Sequence, residues 1–343
     1  MKRTYMFFGM TFLFSLFLLA VNAWGAPYIS FNSIKIGEAG IHTDIDIIDT
    51  NGKNLRNLTN HPALDCCAAW APDGRSFAFV SRREGKSEIY IKTFNVVEAR
   101  RLTNHPESNA NPAWSPDGNW IAFVSIGKEE RHIYKIDING NNLKRLTHHG
   151  KSNINPAWSP DGQSIAFESI RNGREGIYVI DADGKNPRQI INQQHGGGFP
   201  SQPTWSPDGK QIACTVAKDG VGIYIMDTDG QNARRITPLG TWSGNPAWSL
   251  DGKWIAYDAF DGGANPFQNL NADGGANPFQ NRIIGERHIF IVSVEGGESR
   301  QITQNTGQHY SPAWVPESPF SVSPTVDTQT TLWGRLKQDE RIR

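Results

Sequence analysis

Asn155-Pro156-Ala157-Trp158-Ser159-Pro160-Asp161-Gly162, followed by Ser164-Ile165-Ala166-Phe167, is the stretch on which the fold turns. Pro-Asp-Gly punctuates two short apolar runs, and Asp-Gly accepts the positive φ angles of a tight hairpin. The same stretch stands at Asn111 to Gly118 with Ile121-Ala122-Phe123-Val124 behind it. Variants occur at Ala69 to Gly74, Thr204 to Gly209 and Ala247 to Gly252, with Leu250 replacing the last proline, and a degenerate copy at Ala313 to Pro316. Trp70, Trp114, Trp158, Trp205, Trp248 and Trp314 therefore recur about every 44 residues, apart from one longer last gap.

Each period holds four strand signals separated by turn chemistry. The first ends at the tryptophan, and Ile-Ala-Phe forms the second. The third is Ile133-Tyr134-Lys135-Ile136 or Ile177 to Ile180, and a hairpin such as Asp181-Ala182-Asp183-Gly184 follows. The fourth carries Arg101-Leu102-Thr103, Arg145-Leu146-Thr147 or Arg235-Ile236-Thr237. No helical period lies between them. Four-stranded units of this length are propeller blades. Tyr28 to Thr59 supplies only the last three strands of a blade, and Ser311 to Trp314 supplies only a first. The expected fold is all-β: a six-bladed β-propeller over residues 27–316, its ring closed by N-terminal strands pairing with a C-terminal strand.

The repeat resembles that of the TolB-like, WD40-like propeller family: Asn-Pro-Ala-Trp-Ser-Pro-Asp-Gly, then Ile-Ala-Phe, Ile-Tyr, Asp-x-Asp-Gly and Arg-Leu-Thr. The resemblance covers about residues 28 to 316. It implies a propeller of the periplasm that binds other proteins. It does not extend to the α/β domain that TolB itself carries before its propeller.

Residues 1–26 read as a signal peptide, with Lys2 and Arg3 before an apolar run from Met6 to Val21 and small residues at Ala23, Gly25 and Ala26. Export to the periplasm or beyond is expected, with no membrane span after cleavage. Lys and Arg total 34, as do Asp and Glu, so no basic excess exists to neutralise phosphates and nucleic acid is not an expected partner. The three cysteines form no framework. Cys214 sits in a core-facing strand pattern, and the neighbours Cys66 and Cys67 are either free thiols or a strained pair. Residues 261–281 are an inserted loop that carries Asp-Gly-Gly-Ala-Asn-Pro-Phe-Gln-Asn twice, from Asp261 and from Asp273. Residues 317–343 form a polar tail, expected to be disordered.

Catalytic patterns are missing from the sequence: no Gly-x-Ser-x-Gly, no His-Glu-x-x-His, no Cys-x-x-Cys pair and no Gly-rich phosphate loop. The Asp-x-Asp-Gly hairpins read as turns, because a calcium loop begun at Asp181 or Asp227 would end on Asn192 or Pro238 instead of Glu. No cofactor and no metal are expected. The hairpins are nearly identical from blade to blade, whereas the opposite face carries the variable connections. Specific recognition needs distinct aromatic or charged anchors. The expected partner-binding face is therefore bordered by Trp242, Phe199, Tyr310, His61, His105, His149 and His309. The expected function is a non-catalytic, monomeric binding module for a protein or peptide of the cell envelope. The alternative is a metal-assisted carbohydrate-active enzyme similar to the oligogalacturonate lyases, using the histidines at the channel mouth.

Overall fold

The computed structural model describes residues 27–37, 40–94, 96–104, 106–192, 198–218, 220–260 and 285–316. The leader, the inserted loop, the tail and His105 lie outside these residues. The described residues form strands and turns, with no helix among them.

β1 (Tyr28–Gly37), β2 (Gly40–Asp49) and β3 (Arg56–Asn57) come first. β4 (Asp65–Trp70), β5 (Ser76–Ser81), β6 (Glu88–Thr93) and β7 (Arg100–Arg101) make a four-stranded antiparallel sheet in chain order. β8 (Ser108–Trp114), β9 (Trp120–Ile126), β10 (Arg131–Asp137) and β11 (Lys144–Arg145) repeat it, followed by β12 (Ser152–Trp158), β13 (Ser164–Arg171), β14 (Arg174–Asp181) and β15 (Arg188–Asn192). One parallel contact, Arg131 beside Ser152, joins these two repeats into an eight-stranded sheet. β16 (Phe199–Trp205), β17 (Gln211–Ala217), β18 (Val221–Asp227) and β19 (Arg234–Arg235) form the next sheet. β20 (Ser243–Trp248), β21 (Trp254–Phe260), β22 (Arg287–Ser293) and β23 (Arg300–Gln301) form another. The last strand, β24 (His309–Trp314), pairs antiparallel with β1, so one sheet runs β24-β1-β2-β3. The architecture is an all-β propeller.

The core lies between successive four-stranded repeats. Ala122, Ile133, Leu146, Ile165, Phe167 and Ile180 form one such cluster, with Trp158 packed against it. Equivalent clusters set Trp114 beside Ala78, Trp205 beside Ala166, Trp248 beside Ala213 and Trp314 beside Ala256. This explains the alanine of each Ile-Ala-Phe strand, since a small residue makes room for the tryptophan of the next repeat. Trp158 donates its indole N–H to the Ala113 carbonyl at 3.2 Å, Trp205 to Ala157 at 3.2 Å and Trp314 to Ala247 at 3.0 Å. The repeated tryptophans are wedges between successive repeats. Cys214, at 0% exposure, faces the same kind of core.

The other repeated residues fix turns and edges. In the Pro-Asp-Gly hairpin, Asp161 Oδ1 accepts from the Ser159 hydroxyl at 2.6 Å and from the Gln163 amide at 3.0 Å. Gly162 has φ of +71°, and a Cβ there would lie 3.3 Å from the Pro116 ring of the preceding repeat. In the second hairpin, Asn186 occupies the left-handed region and its side-chain amide holds Asp181 at 2.7 Å. Both carboxylates are occupied by turn donors, as the turn reading requires. The Arg-x-Thr strand is equally specific: Thr147 Oγ1 accepts the Ile133 N–H at 2.9 Å, and Arg145 Nε donates to the Thr147 carbonyl at 2.8 Å. Thr103 and Arg101 repeat both contacts. A two-residue outer strand is thereby pinned by side chains as well as by its ladder.

Candidate functional site

The inner strands β4, β8, β12, β16, β20 and β24 share one irregularity. In each, two residues bulge out of register with the neighbouring strand. The bulged residue is left-handed in every case: Cys67 (φ 63°), Asn111 (46°), Asn155 (54°), Gln202 (53°), Asn245 (53°) and Ser311 (53°). Asn tolerates this region, whereas Cys, Gln and Ser adopt it at a cost. The following residue is proline in five of the six, and Ala68 in the other. All twelve residues line one cavity of about 170 Å³. Proline suits a bulge there because it has no N–H to withdraw from a ladder.

Side chains of neighbouring strands hold three of the left-handed amides. The Cys67 N–H donates to Asn32 Oδ1 at 2.8 Å, the Asn245 N–H to Gln202 Oε1 at 3.0 Å and the Ser311 N–H to Asp258 Oδ1 at 2.9 Å. Asn155 and Asn245 donate their side-chain amides to Glu168 at 3.0 Å and Asp258 at 2.9 Å. Glu168 and Asp258 stand where β5 and β9 carry Val80 and Val124. Burial pushes both carboxyls above the ordinary carboxylate range. Asp258 is also paired with Arg287, whose Nε donates to Oδ2 at 2.7 Å. The cavity wall is thus backed by valines along one arc and by carboxylates along another. Cys67 lines it beside Cys66, with 3.0 Å between the sulfurs, both thiols free. Their mutual hydrogen bond pushes Cys66 up and Cys67 down.

The residues expected from sequence to border a binding face lie on two strands and several connections. Phe199, 52% exposed, begins β16. Trp242 is half-buried in the connection before β20, and His149 is exposed before β12. His61 is half-buried in a turn, its Nδ1 accepting the Ala63 N–H at 3.1 Å. Tyr310 is half-buried in β24, with the Arg287 guanidinium 5.3 Å from its ring. His309 is only 5% exposed, its ring 5.2 Å from Phe31 and 5.9 Å from His288. No hydrogen bond or ring contact joins any two of His61, His149, Phe199 and His309. Among the described residues, no three His, Cys, Asp or Glu side chains converge as a metal site.

His309 carries a testable pH dependence. Burial, then the nearby His288 and Lys35 charges, pull its pKa down to about 4. The unfolded chain protonates near ~6.5. Its folded form binds fewer protons, so its contribution to stability is present above about 6.5 and is lost as pH falls toward 4. His309→Leu is expected to lose less stability than the parent between those limits. Urea midpoints at neutral pH and near pH ~4.5 measure this; an equal loss in both proteins would contradict it.

The strained Xaa-Pro pairs, Glu168 and Asp258 were not among the residues singled out from sequence. Their signal was present as a carboxylate inside an otherwise apolar run, Ala166-Phe167-Glu168 and Ala256-Tyr257-Asp258. The hairpin face also has more individuality than its repetition suggested. A cavity of about 390 Å³ there includes Trp120, with Lys135 Nζ 4.5 Å from its ring.

With this geometry in place, comparison identifies the repeat. Residues 43–196 match the TolB beta propeller domain. Comparison with curated protein sequences finds no match. Among solved structures, TolB from Acinetobacter baumannii is similar at 22% identity and a TM-score of 0.70, over 88% of this chain and 70% of that one. A putative TolB from Agrobacterium tumefaciens gives 19% and 0.63, over 85% and 100%. Kuenenia stuttgartiensis hydrazine synthase gives 16% and 0.65, over 86% and 47%.

Proposed function

From a chain whose repeat is that of the TolB-like propeller family, we propose an exported, non-catalytic, six-bladed propeller that binds a protein or peptide in the periplasm or cell envelope. The ring closes between β24 and β1. Support comes from their pairing and from the single cavity to which six inner strands each contribute two residues. Export rests on the reading of residues 1–26.

The observation that carries the binding role is the cavity rim. Six left-handed bulges are held there, three of them, at Cys67, Gln202 and Ser311, against the residue's preference, and most of the polar side chains behind them are spent on internal hydrogen bonds. Strain kept in place by surrounding structure preorganises a surface, which lowers the ordering cost of binding. Phe199 at the start of β16 and the connections bearing Trp242, His61 and His149 supply individuality to the surrounding face, with Tyr310 and His309 on β24.

Binding is tested by cross-linking the mature protein in its own envelope fraction and measuring the affinity of the captured partner. Trp242→Ala is expected to cost about 1–2 kcal/mol of binding, and Phe199→Ala a similar amount. Lys210→Ala, beside a Pro-Asp-Gly hairpin, should change little. Loss on the Lys210 change with retention on the other two would reverse the assignment of faces.

A further inference from the structure

A cavity of about 540 Å³ opens beside the β13–β14 hairpin, and its lining includes Arg171, Asn172, Arg174, Glu175, Tyr178 and Gln189. The chain contains its own reference for this place, two repeats earlier. Arg83 there donates Nε to Ser81 Oγ at 2.8 Å and lies 4.7 Å from the Tyr90 ring. Arg171 adopts the same pose, with Nε 3.2 Å from Ser169 Oγ and its guanidinium 4.0 Å from the Tyr178 ring.

The carboxylates around that pose differ. Arg83 pairs with Asp65 at 3.0 Å, and the Tyr90 hydroxyl donates to Glu84 at 2.8 Å. Arg101 pairs with Glu84 and Glu88. The counterparts of Asp65, Glu84 and Glu88 are Asn153, Asn172 and Gly176, and that of Arg101 is Gln189. Two of the three vacated places are filled. Asn153 is engaged by the Ser169 hydroxyl and by backbone carbonyls. A Cβ on Gly176 would lie 2.4 Å from the Gln189 amide, which takes the room of Glu88. The place of Glu84 is left, at an exposed Asn172 on the cavity wall. Burial lowers the Arg171 pKa, opposed by Tyr178 and by no carboxylate among the described residues. A half-buried cation without a counter-ion is a costly arrangement in a protein surface.

We infer that this cavity binds a ligand through a carboxylate, which takes the place of the missing glutamate: it accepts from the Tyr178 hydroxyl, as Glu84 does from Tyr90, and lies in the field of the Arg171 guanidinium, as Glu84 lies in that of Arg83. Charge-assisted hydrogen bonds of this kind are the strong ones, and Arg presents a planar fork suited to a carboxylate. Arg174 adds a second cation to the lining. The volume exceeds that of a carboxylate alone and fits a small organic acid or the free end of a peptide.

The test is isothermal titration calorimetry at constant ionic strength with succinate and with triglycine, against succinamide and triglycinamide. At least one acid is expected to bind, with the amides silent over the same range. Binding by succinate alone assigns a small acid, and by triglycine alone a chain terminus. Arg171→Gln and Asn172→Glu should each weaken binding roughly tenfold or more. The second restores an internal carboxylate, so its melting temperature should not fall below that of the parent. Arg83→Gln should leave binding unchanged. No binding by either acid, equal binding by the amides, or indifference to both Arg171→Gln and Asn172→Glu would overturn the inference.

Discussion

A chain ended after Thr303 is expected to lose cooperative thermal unfolding, whereas one ended after Ser318 should keep it. The first cut removes β24, and with it the pairing of Ile29 with Trp314 and Ser33 with His309. It also removes the amide of Val315 that donates to the Tyr28 carbonyl at 3.0 Å. β1 then becomes an open edge, and the cluster of Ile29, Phe31, Ile289, Ile291 and Ile302 loses its covering Trp314. Side chains of that size contribute about 1.5–3 kcal/mol each when fully buried. Exposing even part of the cluster therefore removes an amount comparable with a whole domain's net stability of about 5–15 kcal/mol. In the proposed ring, the sheets flanking the opening would fray and melt separately, as in an open repeat array. Calorimetric scans of the two truncated proteins decide the matter. An unchanged midpoint and width after the Thr303 cut would remove the case for closure.

The fold was legible because each repeated residue has one physical task. The Asp-Gly turns, the Ile-Ala-Phe strands and the tryptophans recur at a fixed period, and the structure gives each the same job in every repeat. The pairing of β1 with β24 was legible for a related reason: a three-strand fragment at one end and a single strand at the other leave two complementary edges. The candidate site was far less so. A β-bulge has no strong signature, since Asn155 and Gln202 adopt the same left-handed geometry with different side chains. Cys67, in the same position, gave no sign of lining a cavity. His309 looked like one of a histidine set on the connections, yet strand alternation turns it inward against Phe31. Residue type and periodicity report what the repeats share. The cavity wall and the pocket at Arg171 depend on where the repeats differ, which only an alignment of each blade against its siblings exposes.

Asp258 is the sharpest of those differences, and Asp258→Ala is expected to destabilise the protein by about 3–5 kcal/mol. The carboxylate is 1% exposed and serves four strands. It accepts from the Asn245 side chain on β20 at 2.9 Å, from the Ser311 N–H on β24 at 2.9 Å and from Arg287 on β22, while standing on β21 itself. Deletion leaves Arg287 without its counter-ion and the left-handed Ser311 amide without its acceptor. The loss of a paired partner therefore costs far more than the pair contributes net. For a chain of this size the midpoint should fall by roughly 10 °C. The sibling repeats supply the control. Val80 and Val124 occupy the equivalent place, so an apolar residue there is compatible with the fold once no cation must be matched. Asp258→Val combined with Arg287→Met should recover most of the loss, because it removes both charges and fills the volume. If the double substitution were as unstable as Asp258→Ala, the hydrogen bond to Ser311 and not the ion pair would be the dominant contribution. If Asp258→Ala itself melted like the parent, the carboxylate would not be holding the strand that closes the sheet.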